Sequence, residues 1–304
     1  MPEPILEVAG LVKDFSVRRD AGWGREDFRA VDNVSFALAP GGSLAVVGES
    51  GSGKSTTARM IVGLELADAG SLRVAGEEWD PTRRVRGAVR RQRGSRIQMV
   101  FQDPYQSLDR RQSVGSCLDE TLRLHTGLDR AGRASRVGEL LAQVRLDPAC
   151  ATALPRALSG GQRQRVAIAR SLAAQPDILV LDEAVASLDV SIQAQVLALL
   201  TELRAQTGVA LLFISHDLPV VSQVCDEVIV MKDGAVVERG PVAAVLERPE
   251  HPYTKRLIAS VPRPGWRPRR LSARGEPDAA PAAAPSATSS APASDPRREA
   301  PAQP

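Results

Sequence analysis

Aromatic side chains are scarce in this chain: Phe, Trp and Tyr together make up 3% of its 304 residues. Stacking bases on aromatic platforms is therefore not a theme of the sequence. The charge balance points the same way, with 39 Lys and Arg against 36 Asp and Glu, a net +3. No nucleic-acid partner is expected from so even a balance. Cysteine is scarce as well. Cys117, Cys150 and Cys225 are odd in number, scattered and without metal-ligand spacing, which suits structural thiols in a reducing compartment. There is no recognisable signal peptide, and no apolar run reaches the ~18 residues that a membrane span needs. The chain is not expected to cross a membrane by itself.

What is present in full is a phosphate-binding loop. Gly48-Glu49-Ser50-Gly51-Ser52-Gly53-Lys54-Ser55 fits G-x-x-x-x-G-K-[ST] at every fixed position, and Thr56 follows. The apolar run 43–47 before it reads as a buried strand, and 54–63 after it reads as a helix. The glycines let the loop curl so that backbone N–H groups point at phosphate oxygens. The helix N-terminus adds its partial positive charge at the same place. Lys54 is then expected to reach the β- and γ-phosphates of ATP, and the Ser55 hydroxyl to bind Mg²⁺.

A second constellation supplies the other half of such a site. The apolar run 178–181 suits a central strand of a parallel sheet, and Asp182 and Glu183 follow at its C-terminal end. Asp182 is expected to hold Mg²⁺. Glu183, one residue on, is expected to point to the other side of the strand, toward an attacking water, as general base. Further upstream, Leu158-Ser159-Gly160-Gly161-Gln162 precedes a run of good helix formers, so Ser159, Gly160 and Gly161 should form a second helix N-terminus able to bind an anion.

With these residues in order, the chain resembles the ATP-binding subunit of an ABC transporter. The resemblance implies an α/β fold: a P-loop NTPase core with a mixed sheet and an antiparallel β subdomain, plus an inserted helical subdomain. It also implies further roles. Gln102 resembles the Q-loop glutamine that touches Mg²⁺ and links the site to membrane subunits. Ser187-Leu188-Asp189 resembles the D-loop, and His216, after the apolar run 210–215, resembles the switch histidine that contacts the γ-phosphate. Phe15 lies where the family stacks an aromatic on adenine, although a core phenylalanine is the alternative. In the family Ser159, Gly160, Gly161 and Gln162 act on the ATP held by a partner subunit. A homo- or heterodimer of ATP-binding subunits is therefore implied, closing on ATP and reopening after hydrolysis.

A finer resemblance covers most of residues 5–262. The segments 48–56, 100–109, 183–197 and 251–258 together resemble the oligopeptide/dipeptide permease group, whose relatives also import nickel or glutathione. This implies two transmembrane permease subunits, an extracytoplasmic solute-binding protein, and a peripheral location at the cytoplasmic face of the inner membrane. One departure is that Ala184-Val185 stands where many ABC proteins carry Pro-Thr. The rival class, a soluble ABC ATPase of nucleic-acid repair or translation, usually shows coiled-coil insertions, zinc sites or two ATPase units, and none is seen here.

The organisation expected is an ATP-binding domain over 5–262, with a helical subdomain at about 103–157 and a permease-type C-terminal helix within 251–262. Strands are expected over 5–13 and 31–39, split by a polar insertion at 18–29. Arginines crowd 83–96, as a solvated helix face or a surface for phosphate or lipid. Over 263–304 the composition turns to Pro, Ala and Ser with few large apolar residues, which implies a disordered tail.

Overall fold

The computed structural model of the chain describes residues 3–18, 25–103 and 107–260, so the expected tail lies outside the described residues. Two sheets carry its strands. The first is antiparallel, in the order β2-β1-β4-β5, from β1 (Leu6–Arg18), β2 (Arg25–Leu38), β4 (Ala69–Val74) and β5 (Glu77–Trp79). Its leading hairpin is longer than the composition suggests. Pairing runs on through Asp14↔Arg29 and Phe15↔Phe28 to Arg18↔Arg25, so most of the described part of the polar insertion is strand. Cross-strand charge contributes to it, since the Arg29 guanidinium on β2 meets Asp14 on β1 at 2.9 Å. Such pairs hold strands together where no apolar face is available.

The second sheet has the order β10-β9-β3-β8-β7-β6. It comprises β3 (Ser43–Val47), β6 (Ile97–Val100), β7 (Ile178–Asp182), β8 (Ala210–Ser215), β9 (Glu227–Lys232) and β10 (Ala235–Pro241). All pairings are parallel except the β9–β10 edge. Every residue of β3, β7 and β8 is buried, as strands covered on both faces must be. Their side chains divide alternately between two cores. Ala45, Val47, Leu179, Leu181, Leu211 and Phe213 face one, and Leu44, Val46, Ile178, Val180, Leu212 and Ile214 face the other. The second core is shared with the antiparallel sheet, through Leu6, Val8, Val34 and Phe36.

Helices cover these faces. They are α1 (Lys54–Ile61), α2 (Gly87–Arg96), α3 (Val114–His125), α4 (Arg130–Gln143), α5 (Gly160–Ala173), α6 (Val190–Thr207), α7 (Leu218–Val224), α8 (Val242–Glu247) and α9 (Pro252–Ala259). Between β6 and β7 the described chain is helical, and Val137, Leu140, Leu141, Val144 and Leu146 are all buried there. The arginine-rich α2 buries none of its residues, although the Arg93 guanidinium lies 4.9 Å from the Trp79 ring centroid. No described helix is long and apolar enough to cross a membrane.

The register fixes where chemistry can occur. β3, β8 and β7 are neighbours, with Val47 opposite Ser215 and Asp182 opposite Ile214. The loops that leave their C-terminal ends therefore emerge side by side, where open α/β sheets bind ligands.

Candidate active site

The loop after β3 is shaped by glycine at two points. Gly48 (φ 154°) and Gly53 (φ 96°) hold conformations that other residues avoid. A Cβ on Gly48 would lie 2.2 Å from the Met231 carbonyl oxygen, and one on Gly53 would lie 2.3 Å from that of Ala30. No side chain caps α1, so the N–H groups of its first turn remain directed outward as an anion site. Lys54 is buried, and its ammonium donates to the carbonyl oxygens of Gly48 (2.8 Å) and Glu49 (2.7 Å). Burial lowers the Lys54 pKa, against the nearby carboxylates of Glu183, Asp182 and Glu49. A cation desolvated in this way is stabilised by a phosphate chain.

Ser55 sits one residue into the helix. Its hydroxyl donates to Asp182 Oδ1 at 2.7 Å, across the end of β7. Burial pushes the Asp182 carboxyl above its ordinary value, with the Ser55 hydrogen bond opposing. One hydroxyl and one carboxylate are the hard oxygen donors that Mg²⁺ accepts from protein, phosphates and water supplying the rest. No group of three or more His, Cys, Asp and Glu among the described residues forms a ready-made metal cage. The residues present thus fit Mg²⁺ carried with a nucleotide.

Glu183 does not take its direction from strand alternation, contrary to the sequence expectation. β7 ends at Asp182, and Glu183 adopts a left-handed conformation with φ 47°. Its N–H donates to the Ile214 carbonyl at 3.0 Å, and its own carbonyl accepts from Ala186 at 3.1 Å. A non-glycine residue held in this region is strained, and such strain concentrates at functional sites. Two other expected residues converge on its carboxylate. Gln102 donates to Oε2 at 2.9 Å, and His216 Nδ1 lies 3.3 Å from Oε1. Both partners are exposed, and Gln102 contacts Glu183 rather than the Ser55–Asp182 pair.

A cavity of about 260 Å³ joins these parts. Its lining includes Ser50, Gly51, Gly53, Lys54, Ser55, Thr56 and Glu183 together with Phe15, Phe28 and Ala30. Phe15 is half-buried, with the Lys13 ammonium 5.2 Å from its ring centroid. Phe28, its cross-strand partner, is 51% exposed. Sequence reasoning missed Phe28 because the stretch around it reads as a polar insertion.

Ser159, Gly160, Gly161 and Gln162 do not line this cavity. They open α5 with a capping box, in which Ser159 Oγ accepts from Gln162 N and Gln162 Oε1 accepts from Ser159 N at 2.8 Å. A Cβ on Gly161 would meet Ile192 Cγ2 at 2.5 Å, so this glycine also serves the packing of α5 on α6. Asp189, at the start of α6, is exposed, and Val190 beside it is 81% exposed. Ala184 and Val185 are buried in the core, which accounts for apolar residues at that departure from the family pattern. Tyr105, in the expected Q-loop segment, lies outside the described residues.

One further group reaches the loop unannounced. The Tyr253 hydroxyl accepts the Glu49 N–H at 2.9 Å. Only the clustering of His251, Pro252, Tyr253 and Thr254 could have signalled it, and a bare reading makes that a helix-opening turn.

Comparison with known proteins places these observations in context. Residues 31–186 match the family described as ABC transporter, and residues 237–286 match the oligopeptide/dipeptide transporter C-terminal region. A putative peptide import ATP-binding protein of Brucella abortus is 46% identical over 261 residues, covering 86% of this chain and 78% of that protein. A glutathione import ATP-binding protein of Pectobacterium atrosepticum is 45% identical, covering 86% of this chain and 41% of that one. Among solved structures, a Clostridium perfringens component of an ABC transporter complex superposes with a TM-score of 0.69 at 27% identity, covering 81% of this chain and 91% of that one. A dimeric ATP-binding cassette in a post-hydrolysis state with ADP and Pi gives 0.68 at 26% identity, covering 78% and 98%.

Proposed function

Because the chain belongs to the ABC transporter family of ATP-hydrolysing subunits, we propose that it energises the import of peptides or related small solutes such as glutathione. The observation that carries the chemical reading is the meeting of Gln102 and His216 on the Glu183 carboxylate, beside the Ser55–Asp182 pair. Lys54 and the N–H groups of the loop hold the phosphates, and Phe15 with Phe28 offers the adenine ring a face. Ser55 and Asp182 would hold Mg²⁺, which would neutralise charge on the β- and γ-phosphates. Glu183 takes a proton from the water that attacks the γ-phosphate. Gln102 and His216 fix the carboxylate for that task and sense the γ-phosphate.

The site is completed by a second ATP-binding subunit, a copy of this chain or a relative. Ser159, Gly160 and Gly161 lie outside the chain's own cavity, and Asp189 and Val190 are exposed for contact. The dimeric cassette with ADP and Pi supports this reading. ATP then acts as glue, and closure of the pair moves the helical segment and the membrane partners. Two permease subunits and an extracytoplasmic binding protein complete the importer, with this chain peripheral at the cytoplasmic face. A second cavity, of about 530 Å³, suits the docking of a cytoplasmic permease segment. It combines Arg83, Arg86 and Arg90 with the exposed Leu64 and Leu124, and Phe101 places it next to Gln102.

Glu183→Gln is the direct test. Hydrolysis should slow by about 10²–10⁴-fold while ATP binding persists, and solute uptake by the assembled complex should stop. Near-normal turnover would remove Glu183 from the base role.

A further inference from the structure

The phosphate loop is held from outside by the C-terminal segment, and the contact falls on one particular peptide unit. The Gly48–Glu49 peptide offers its N–H to the Tyr253 hydroxyl oxygen at 2.9 Å, and its carbonyl accepts from the Lys54 ammonium at 2.8 Å. A trans peptide directs its N–H and C=O to opposite sides of a rigid plane. A tilt imposed at one end therefore moves the other. Polarisation runs along the same line, since an N–H engaged by an acceptor makes its carbonyl a better acceptor in turn.

Tyr253 is itself closely placed. The Glu238 carboxylate on β10 accepts the N–H groups of Glu250 (2.8 Å) and His251 (3.0 Å). His251 Nδ1 then accepts from Tyr253 N at 3.2 Å, capping α9, and Pro252 occupies the first turn. Tyr253 is buried, with the Lys232 ammonium 5.8 Å from its ring centroid. The turn after β9 touches the loop as well, where Gly234 N donates to the Ser52 carbonyl at 3.3 Å.

We propose that Tyr253 is a positioning residue for ATP binding, holding the Gly48–Glu49 peptide so that its carbonyl aims the Lys54 ammonium at the phosphates. This rests on the reading of Lys54 as the phosphate-binding lysine. The segment containing His251, Pro252 and Tyr253 thereby becomes a part of the nucleotide site, and loosening it weakens the hold on ATP from outside the cavity.

Tyr253→Phe in the full chain removes the acceptor oxygen and keeps the ring. The KM for ATP should rise by about threefold to tenfold, the usual worth of one such hydrogen bond, with kcat at saturating ATP little changed. The rise in melting temperature on adding ATP should shrink. An unchanged KM, with a melting temperature lowered equally with and without ATP, would show a purely structural tyrosine and overturn the proposal. Hydrogen exchange at the Glu49 amide of the unmodified protein gives a second reading that survives misfolding of the variant. Slow exchange is expected, and exchange as fast as that of an exposed loop amide would also overturn it. Lys54→Ala separates the two levels. If it still binds ATP tightly, the site reading itself fails; if it loses ATP while Tyr253→Phe changes nothing, only the role of Tyr253 fails.

Discussion

The turn before α1 and the turn before α5 are both made of serine and glycine, yet only the second caps its own helix. Ser159 and Gln162 satisfy each other's backbone donors, and Gly161 is there to let Ile192 approach. The loop before α1 puts no side-chain cap on the first turn of its helix, and Gly48 and Gly53 are needed for left-handed backbone and for contact with carbonyl oxygens that cannot move aside. Composition is shared, but one turn is a closed structural joint and the other an open socket. The first can present a hydroxyl to a neighbour at little cost to itself. The second cannot change without losing its ligand.

The sharpest way to break this comparison is to disable each turn. Lys54→Ala should abolish measurable ATP binding in a calorimetric titration. Ser159→Arg should leave the affinity of the isolated chain near normal and still remove the ATPase activity that depends on pairing. Loss of ATP binding in the Ser159 variant would show that the turn serves its own nucleotide.

A smaller effect separates the glycines. In Gly53→Ala the new Cβ meets backbone at a φ that costs about 1–2 kcal/mol for any L residue, so no second change should relieve it. In Gly161→Ala the new Cβ meets only the Ile192 side chain, at its Cγ2 methyl, and Ile192→Ala should restore part of the lost melting temperature. Failure of that rescue would make Gly161 a backbone requirement like Gly53. Smaller again is Ser159→Ala, which removes a cap and should cost about 0.5–2 kcal/mol in denaturant unfolding without changing ATP affinity.

The least effect is a difference in pH response. Lys54 has a folded pKa below its ordinary 10.5, so just under that value the unfolded chain binds more protons at this site than the folded chain. Stability of the nucleotide-free protein should therefore rise with pH in that window, and Lys54→Met should flatten the rise. Ser159→Ala should leave the slope unchanged.

The loop, the carboxylates at the end of β7 and the histidine after β8 were legible because each lies at the end of an apolar strand, where a side chain stands out from its neighbours. Strand periodicity could not show that Glu183 leaves the strand in a left-handed turn, because that conformation depends on its hydrogen bond to Ile214, far away in sequence. Phe28 was hidden by the charged residues that extend the hairpin, and Tyr253 by its distance from residue 49. The double duty of Gly161 was equally invisible, since it depends on which residue of α6 packs there. Fold class came with the family resemblance that these motifs carry. Strand length did not, because in the polar hairpin it is set by pairs such as Arg29 with Asp14.

The strand order has a consequence for assembly in time. β8 lies between β3 and β7, so Ser55 and Asp182 can face each other only after the intervening strand has been laid down. A ribosome that has joined the first 186 residues has already made the phosphate loop, Gln102, the Ser159 turn and Glu183, and has yet to make the spacer that sets them at the right separation. Contacts of such long range form late and slowly. The newborn chain thus carries nearly every reactive group of its ATPase well before it can bring them to bear on ATP.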